Sequence, residues 1–339
     1  MTRIAVDAMG GDFAPGPEIE GALAAIAERS IDVFLVGDRS RIDTVLAGRS
    51  HPRLRICHAS QTITMDDRPS AAVKAKKDSS MRICFDLAVR GEVDAVVSAG
   101  NSGAMMACGL FVMKRLPGVE RPGIVAVAPT VQGGHSVVLD VGANTELKPT
   151  ALAQFAVLGS AYMKLMLGVS KPRVGVLSNG EESSKGNDLT REVHRMLASP
   201  PGPIDFDFRG YAEGRDICAG DFDVIVTDGF TGNICLKTFE GALTTVFDLL
   251  RTEVAKSGRA KLGALLMKPA FLALKRRIEP DEFGGAPLLG VHGVVIICHG
   301  RANAKAIKNG ILSAERLVAA QVAPSLEAAI ARHAPIWTT

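Results

Sequence analysis

Asp7-Ala8-Met9-Gly10-Gly11-Asp12 closes an apolar run that begins at Ile4, and it sets two glycines between two carboxylates where a strand should end. Glycine tolerates positive φ and lacks the side chain that holds an anion at a distance, so such a turn can become a nest of backbone N–H donors. The pattern recurs four times. Ser98-Ala99-Gly100-Asn101-Ser102-Gly103 follows the run Val93 to Val97, and Asp140-Val141-Gly142-Ala143-Asn144 follows Val137-Val138-Leu139. Val174-Gly175-Val176-Leu177 leads into Ser178-Asn179-Gly180-Glu181-Glu182, and Val224-Ile225-Val226 leads into Thr227-Asp228-Gly229-Phe230-Thr231-Gly232-Asn233. In an open parallel sheet the carboxyl ends of the strands converge on one edge, so these five loops are expected to line a single crevice.

Further short buried strands are read at Val33–Val36, Leu54–Ile56, Ile124–Val127 and Val294–Ile297. Helical patterns separate them, with a first helix over Glu18–Glu28 and another over Thr150–Leu167, whose Leu152, Phe155, Ala156, Gly159, Met163 and Met166 form a core-facing stripe. The Pro-rich Ser199–Pro203 reads as a loop entering a strand. Strand and helix in alternation predict an α/β fold, a Rossmann-like three-layer arrangement around a parallel or mixed sheet. The whole chain, 1–339, is read as one catalytic α/β unit with a helical excursion over 241–282.

The composition narrows the function classes. A 339-residue chain that is 47% hydrophobic can bury a substantial core. A net charge of +3 with one Trp and two Tyr offers little to nucleic acid. The six cysteines (Cys57, Cys84, Cys108, Cys218, Cys235, Cys298) contain no CxxC pair and mostly lie in apolar runs, which argues against a metal or disulfide framework. The N-terminus shows no basic region followed by a long apolar segment, so the reducing cytoplasm is the expected compartment. No uninterrupted apolar stretch reaches the roughly 20 residues needed to span a bilayer.

After Asn233 the character changes. Ile234, Phe239, Leu243, Val246, Phe247, Leu250 and Val254 form a helical stripe that Ser257-Gly258 interrupts. Leu262, Leu265, Leu266, Met267, Phe271, Leu272 and Leu274 then alternate with Arg259, Lys261, Lys268, Lys275, Arg276 and Arg277, and Pro269 breaks the helix. A basic amphipathic segment of this kind suits an anionic membrane surface. It equally suits a dimer-packing helix with snorkelling Lys and Arg, and the two roles are compatible.

The turn at Asp7–Asp12, Lys76-Lys77-Asp78-Ser79-Ser80-Met81, Ser98–Asn101, Asp140–Asn144, Thr227–Asn233 and Gly284-Gly285-Ala286-Pro287-Leu288-Leu289-Gly290 together resemble the bacterial phosphate acyltransferases of phospholipid synthesis, in order and over nearly the whole chain. Ser102 departs from the usual Thr, Phe283 from the usual Tyr, and Ser178-Asn179 from the usual Asn-Ile pair. The resemblance implies a fold related to the phosphotransacetylases and isopropylmalate dehydrogenases, a homodimer, and peripheral association with the inner face of the cell membrane. It also implies a reaction: a long acyl group passes from the thioester of acyl carrier protein to inorganic phosphate. The acyl phosphate then goes to an integral-membrane acyltransferase that acylates glycerol 3-phosphate.

That chemistry agrees with the residues. Phosphate is already an anion at pH 7 and attacks without a strong base, so neither a triad nor a cofactor is called for, and no GxSxG elbow is present. The remaining task is to hold phosphate beside the carbonyl and to stabilise the oxyanion. Lys185 is the candidate cation, with a solvated surface lysine as the alternative. Asn233, Asn101 and Asn144 are candidate amide donors or, alternatively, loop caps. His299 is a candidate proton donor to the leaving thiol, or a structural histidine. Asp7, Asp12, Asp140 and Asp228 are assigned to orienting lysines and loop amides, because ionised carboxylates repel phosphate at contact; Asp228 is placed with the catalytic group. Gly10, Gly11, Ser98, Gly100, Ser102, Gly142, Gly180 and Thr231 complete the expected substrate-binding set. Carboxylate spacing matches no dedicated metal motif. Lys74, Lys76, Lys77, Arg251, Lys256 and Arg259 are candidate docking cations for an acidic carrier protein. Leu262, Leu265, Leu266, Phe271 and Leu272 are expected to face the membrane.

Three other readings remain open on the residues alone. A coenzyme A-dependent short-chain phosphotransacetylase shares the site chemistry. An isopropylmalate-type dehydrogenase shares the fold but would require a G-x-G-x-x-G turn with a following acidic residue and substrate arginines. A non-catalytic membrane scaffold explains the amphipathic segment and none of the five loops.

Overall fold

The computed structural model describes residues 1–182, 184–278 and 284–338. Phe283, the end of the expected excursion at 279–282, and the side chains of Lys275 and Arg276 lie outside the described residues. Eleven strands form one sheet in the order β3-β2-β1-β4-β11-β10-β5-β6-β9-β7-β8. In chain order they are β1 (Thr2–Asp7), β2 (Ile31–Gly37), β3 (Leu54–His58), β4 (Ala95–Ser98), β5 (Gly123–Pro129) and β6 (His135–Leu139). β7 (Arg173–Leu177), β8 (Asp207–Ala212), β9 (Val224–Val226), β10 (Ala286–Leu289) and β11 (Val294–Ile297) complete it. Every strand read from the sequence is present. β8 lies beyond the Pro-rich loop, and β10, hidden among the glycines of Gly284–Gly290, was not read as a strand.

Helices cover both faces, as the three-layer expectation requires. On one face Gly16–Glu28, Pro149–Leu167, Asp188–Ala198, Ala304–Ala319 and Val322–His333 bury Ile19, Phe155, Val193, Ile307 and Leu326. On the other, Pro69–Ala75, Ser80–Val89 and Ser102–Cys108 bury Val73, Phe85 and Met105. The helix Pro149–Leu167 is long and apolar enough to cross a membrane by composition, yet its first fifteen residues pack almost entirely inside the core. Such a helix, hydrophobic all round, is buried because the sheet covers one side and other helices the rest.

The sheet is mixed, and this corrects the expectation of a single strand-end edge. β1, β2, β3, β4 and β11 run parallel, β10 is antiparallel to both β11 and β5, and β5 is antiparallel to β6. β6, β9, β7 and β8 are parallel to one another and opposed to the first group. The five loops therefore point in two opposite directions. All but the Ser178–Glu182 loop still meet, because the register staggers the two halves. Ser98 pairs with Ile297 and Ile297 with Ala286; two residues on along β10, Leu288 pairs with Ile124, and one residue on along the oppositely directed β5, Val125 pairs with Leu139. Leu139 thus lies one residue level, ~3.3 Å, from Ser98. The carboxyl ends of the two halves face each other across β10 and β5.

The expected excursion over 241–282 continues a helix that starts before it. One helix runs Gly229–Ala255, followed by Gly258–Leu266 and Lys268–Ile278. Its first turns still touch the body through half-buried Cys235, Leu236 and Phe239, and beyond Gly241 it is largely exposed. Ser257 caps the second helix by accepting from Ala260 N (3.3 Å). Pro269 falls in the first turn of the third helix, where its missing N–H costs nothing.

Candidate functional site

The first wall is built at the ends of β1 and β4. Asp7 is buried, and its Oδ2 accepts from Ser98 Oγ (2.7 Å), which in turn accepts from Gly100 N (3.0 Å). Gly10 lies directly over this chain: a Cβ there would sit 2.7 Å from Asp7 Oδ2 and 2.8 Å from both Gly100 N and Ser98 Oγ. Only glycine permits that approach. Burial pushes the Asp7 carboxyl above its usual value, against the hydrogen bonds from Ser98 and Met9 N that favour its charged form. Asp12 is exposed, and its backbone N donates to Gly300 O (2.8 Å), which joins this turn to the loop after β11.

The opposing wall is organised by Asp140 at the end of β6. Its carboxylate accepts from the backbone N of Ile124 (3.0 Å), Gly142 (3.1 Å), Ala143 (2.9 Å) and Asn144 (2.8 Å), and from Asn144 Nδ2 (2.9 Å). Asp140 is fully buried, and burial raises its pKa although each of these donors favours the carboxylate. Asp228 caps the long helix, accepting from Thr231 N and Thr231 Oγ (both 2.8 Å). Both acids therefore orient loop groups through these hydrogen bonds.

The three asparagines separate. Asn101 Oδ1 accepts from Ala104 N (3.0 Å), while its Nδ2 reaches the carbonyls of Thr64, Met65 and Asp67 (3.2–3.3 Å). Asn144 Nδ2 is held by Pro122 O (2.8 Å) and Asp140. Both are committed to loop structure. Asn233 lies inside the first turns of the long helix instead of in a loop, is exposed, and its amide makes no hydrogen bond among the described residues. It faces Gly142, whose φ is 147° and where a Cβ would come into van der Waals contact with Asn233 Cγ at 3.9 Å.

A cavity of about 1620 Å³ joins the two walls. Gly100, Ser102 and His299 line it from one half, Gly142 and Asn233 from the other, and the three excursion helices cover its far side. His299 Nδ1 accepts from Arg301 N (3.1 Å), so in the neutral ring the proton sits on Nε2 and is available to a ligand. Asp7, Gly10, Gly11 and Ser98 stand behind Gly100, and Asp140 and Asn144 behind Gly142. Gly180 and Lys185 do not line it. They follow β7, two strand spacings (~10 Å) from β6, and Lys185 is exposed in a turn where its N donates to Glu182 O (2.9 Å). Of the expected membrane-facing residues, Leu262, Leu265, Leu266 and Leu272 are exposed and Phe271 is half-buried; Leu265, Phe271 and Leu272 also line the cavity.

Sequence reasoning missed Glu18. It is 1% exposed, and its Oε2 has no hydrogen-bond partner among the described residues. A Cβ on Gly11 would lie 2.5 Å from its Oε1. Burial, reinforced by nearby Asp7, raises its pKa to about 7. Nothing in the pattern marks it, because an acid in a first helical turn ordinarily serves the helix dipole from the surface. Lys237, Lys261 and Lys268 also line the cavity, and only folding reveals that they share it with Arg251. Burial raises the thiol pKa of the lining residues Cys218 and Cys235, the latter with help from Asp228, so neither is poised as a thiolate nucleophile.

Solved structures share this architecture. A phosphotransacetylase from Streptococcus pyogenes superimposes with a TM-score of 0.62 over 95% of this chain and 94% of its own, at 16% identity. A branched-chain phosphotransacylase from Enterococcus faecalis V583 gives 0.58 over 94% and 99%, at 14% identity. At such identity the likeness is one of fold, and it defines an α/β protein of the phosphotransacetylase architecture with its loops meeting at a staggered mixed sheet. The sequence matches are more specific. Residues 2–325 match the family described as "Fatty acid synthesis protein", and the chain belongs to it. A relative from Geobacter sulfurreducens named phosphate acyltransferase is 51% identical over 318 residues, covering 93% of this chain and 90% of its own. Another of that name from Myxococcus xanthus is 47% identical over 98% and 94%. The protein is an enzyme of the acyltransferase class.

Proposed function

We propose that the protein transfers a long acyl chain from the thioester of acyl carrier protein to inorganic phosphate, releasing acyl phosphate for acylation of glycerol 3-phosphate by an integral-membrane enzyme. The observation that carries this reading is the cavity itself, whose polar end lies where the two sheet halves meet and whose far walls combine apolar side chains of β5 and the excursion helices with Lys237, Arg251, Lys261 and Lys268. Phosphate held against the Gly100–Ser102 wall attacks the thioester carbonyl carbon, and the Asn233 amide donates to the oxyanion. The C–S bond then breaks, the His299 Nε2 N–H donates a hydrogen bond to the departing sulfur, and the thiolate takes its proton from water. No side chain is required as a nucleophile, in keeping with the raised thiol pKa values of Cys218 and Cys235.

Lys185 is retained as the proposed phosphate-neutralising cation, although its turn stands apart from the cavity wall. Palmitoyl carrier protein and labelled phosphate supply the test: acyl phosphate should form only when phosphate is present and should be lost in a folded Asn233→Ala variant. Unchanged turnover in Lys185→Ala would remove the lysine from the mechanism, and preference for coenzyme A thioesters over the carrier-bound donor would replace the proposed substrate.

A homodimer and peripheral membrane attachment on the cytoplasmic face belong to the same proposal. They are supported by exposed Val246, Leu249, Leu262 and Leu266 on the outer faces of the excursion helices, beside Arg259 and Lys261. Sedimentation as a monomer would remove the dimer. Unaltered flotation of a Leu262→Glu/Leu266→Glu variant with anionic vesicles would remove the membrane contact.

A further inference from the structure

The helix Gly229–Ala255 carries two apolar stripes. Val246 and Leu249 face outward and are 61% exposed, whereas Leu243, Phe247, Leu250 and Val254, three or four residues apart, face inward and line the cavity. Across the cavity from this inner stripe stands β5. Its face on that side is Ile124, Ala126 and Ala128, which alternate with the residues turned toward the opposite core. Ala126 stands beside Val138 and Ala128 beside Ser136 of the adjoining strand, and the two alanines leave the inner stripe without the packing that a core helix would receive.

One end of this groove is fixed chemically. Ile124 N is bound to Asp140 Oδ1 (3.0 Å), so the β5 end at Ile124 adjoins the wall that carries Gly142 and faces Asn233. The other end passes Pro129 and reaches Ile217 and Cys218, where Val131 N donates to Cys218 O (2.9 Å). Ile124 to Pro129 is five strand steps, ~17 Å, which with C–C bonds of ~1.52 Å corresponds to about thirteen extended methylenes. The outward stripe leaves a separate face for a second copy or a lipid surface. The inward groove is therefore continuous with the polar wall, and Ile124, Ala126, Ala128, Leu243, Phe247, Leu250 and Val254 give it apolar sides.

We propose that this groove between β5 and the inner stripe of the helix Gly229–Ala255 is the acyl-chain subsite, and that Ala128 and Phe247 determine the chain length accepted. The inference rests on the transfer reading above and adds where the chain lies. Ala128 is four residues beyond Ile124, ~13 Å, or about ten methylenes. An eight-carbon chain ends before it, and a sixteen-carbon chain must pass it. Each methylene withdrawn from water contributes roughly fourfold in affinity, so blocking the groove there acts selectively on the longer chain.

The test compares octanoyl and palmitoyl carrier protein as donors, with acyl phosphate as product, in the full-length enzyme and in Ala128→Phe and Phe247→Trp variants. Circular dichroism and sedimentation are measured on the same samples. The palmitoyl-to-octanoyl ratio of kcat/KM should fall at least tenfold in both variants, and palmitate should bind at least tenfold more weakly by calorimetry while octanoate binding changes little. Should Ala128→Phe not fold, Phe247→Trp on the half-buried helix wall carries the same expectation. An unchanged ratio with unchanged palmitate binding overturns the subsite. Equal loss on both donors together with dissociation of a dimer also overturns it and assigns the groove to a subunit interface. A wild-type enzyme that binds palmitate in the groove but forms no acyl phosphate keeps the subsite and refutes the reaction.

Discussion

Replacing Glu18 by Gln should change the stability of the protein in a pH-dependent way that no exposed carboxylate would produce. Glu18 is almost fully buried, one of its oxygens is unpartnered among the described residues, and its pKa rises from 4.5 to about 7. Below pH 4.5 the side chain is protonated in both folded and unfolded chains, and its contribution to stability is fully present. As the pH rises from 4.5 through about 7 the unfolded chain ionises first, and the contribution is progressively lost; above about 8 the loss is complete. The full gap is worth about 3 kcal/mol, most of which falls between pH 5 and pH 8. Glutamine has no proton to exchange, and Asp7 is common to both proteins. Urea unfolding of wild type and Glu18→Gln at those two pH values should show the variant gaining about 2–3 kcal/mol on the wild type. A difference that stays constant within about 0.5 kcal/mol would mean that Glu18 is ionised in the fold throughout, and the burial argument would be wrong.

Gly10→Ala should lower turnover about 100-fold in a folded enzyme, because its Cβ would meet Asp7, Ser98 and Gly100 at 2.7–2.8 Å and displace the loop. Gly16→Ala, which meets nothing within 4 Å, is the neutral control, and equal activity of the two variants would refute the close-approach argument. Asp140→Asn should cost about 2–4 kcal/mol in thermal unfolding, since an amide turns a donor toward the donors of Ala143 and Asn144. Hydrogen exchange at Gly142–Asn144 should accelerate in that variant, and unchanged exchange would show that the carboxylate does not hold the loop.

Strands, helices and the five glycine-bearing loops were legible because they are local. β-branched runs such as Val174–Leu177 fit a pleated, buried strand, and a turn such as Asp7–Asp12 requires glycine wherever the chain packs this closely. The excursion was legible as an amphipathic stripe broken at Ser257-Gly258. Gly229–Gly232, read as a loop, forms the first helical turn under the Asp228 cap, because its glycines carry no helical pattern. β10 went unread because a four-residue strand between glycines has too little pattern to stand out.

The amino-acid sequence by itself determined an α/β chain with ligand-ready loops and, through its motifs, the family to which it belongs. Only the tertiary structure decided which of those loops meet. Strand direction and register are non-local, and the antiparallel β10 and β5 reverse one half of the sheet while staggering it so that Ser98 and Leu139 lie at nearly one level. That stagger brings Asn233 to the cavity, leaves Lys185 two strands away, and commits Asn101 and Asn144 to their own loops. It also buries Glu18 beneath the glycine turn, for burial belongs to the packed whole and is set by neighbours that no sequence window contains.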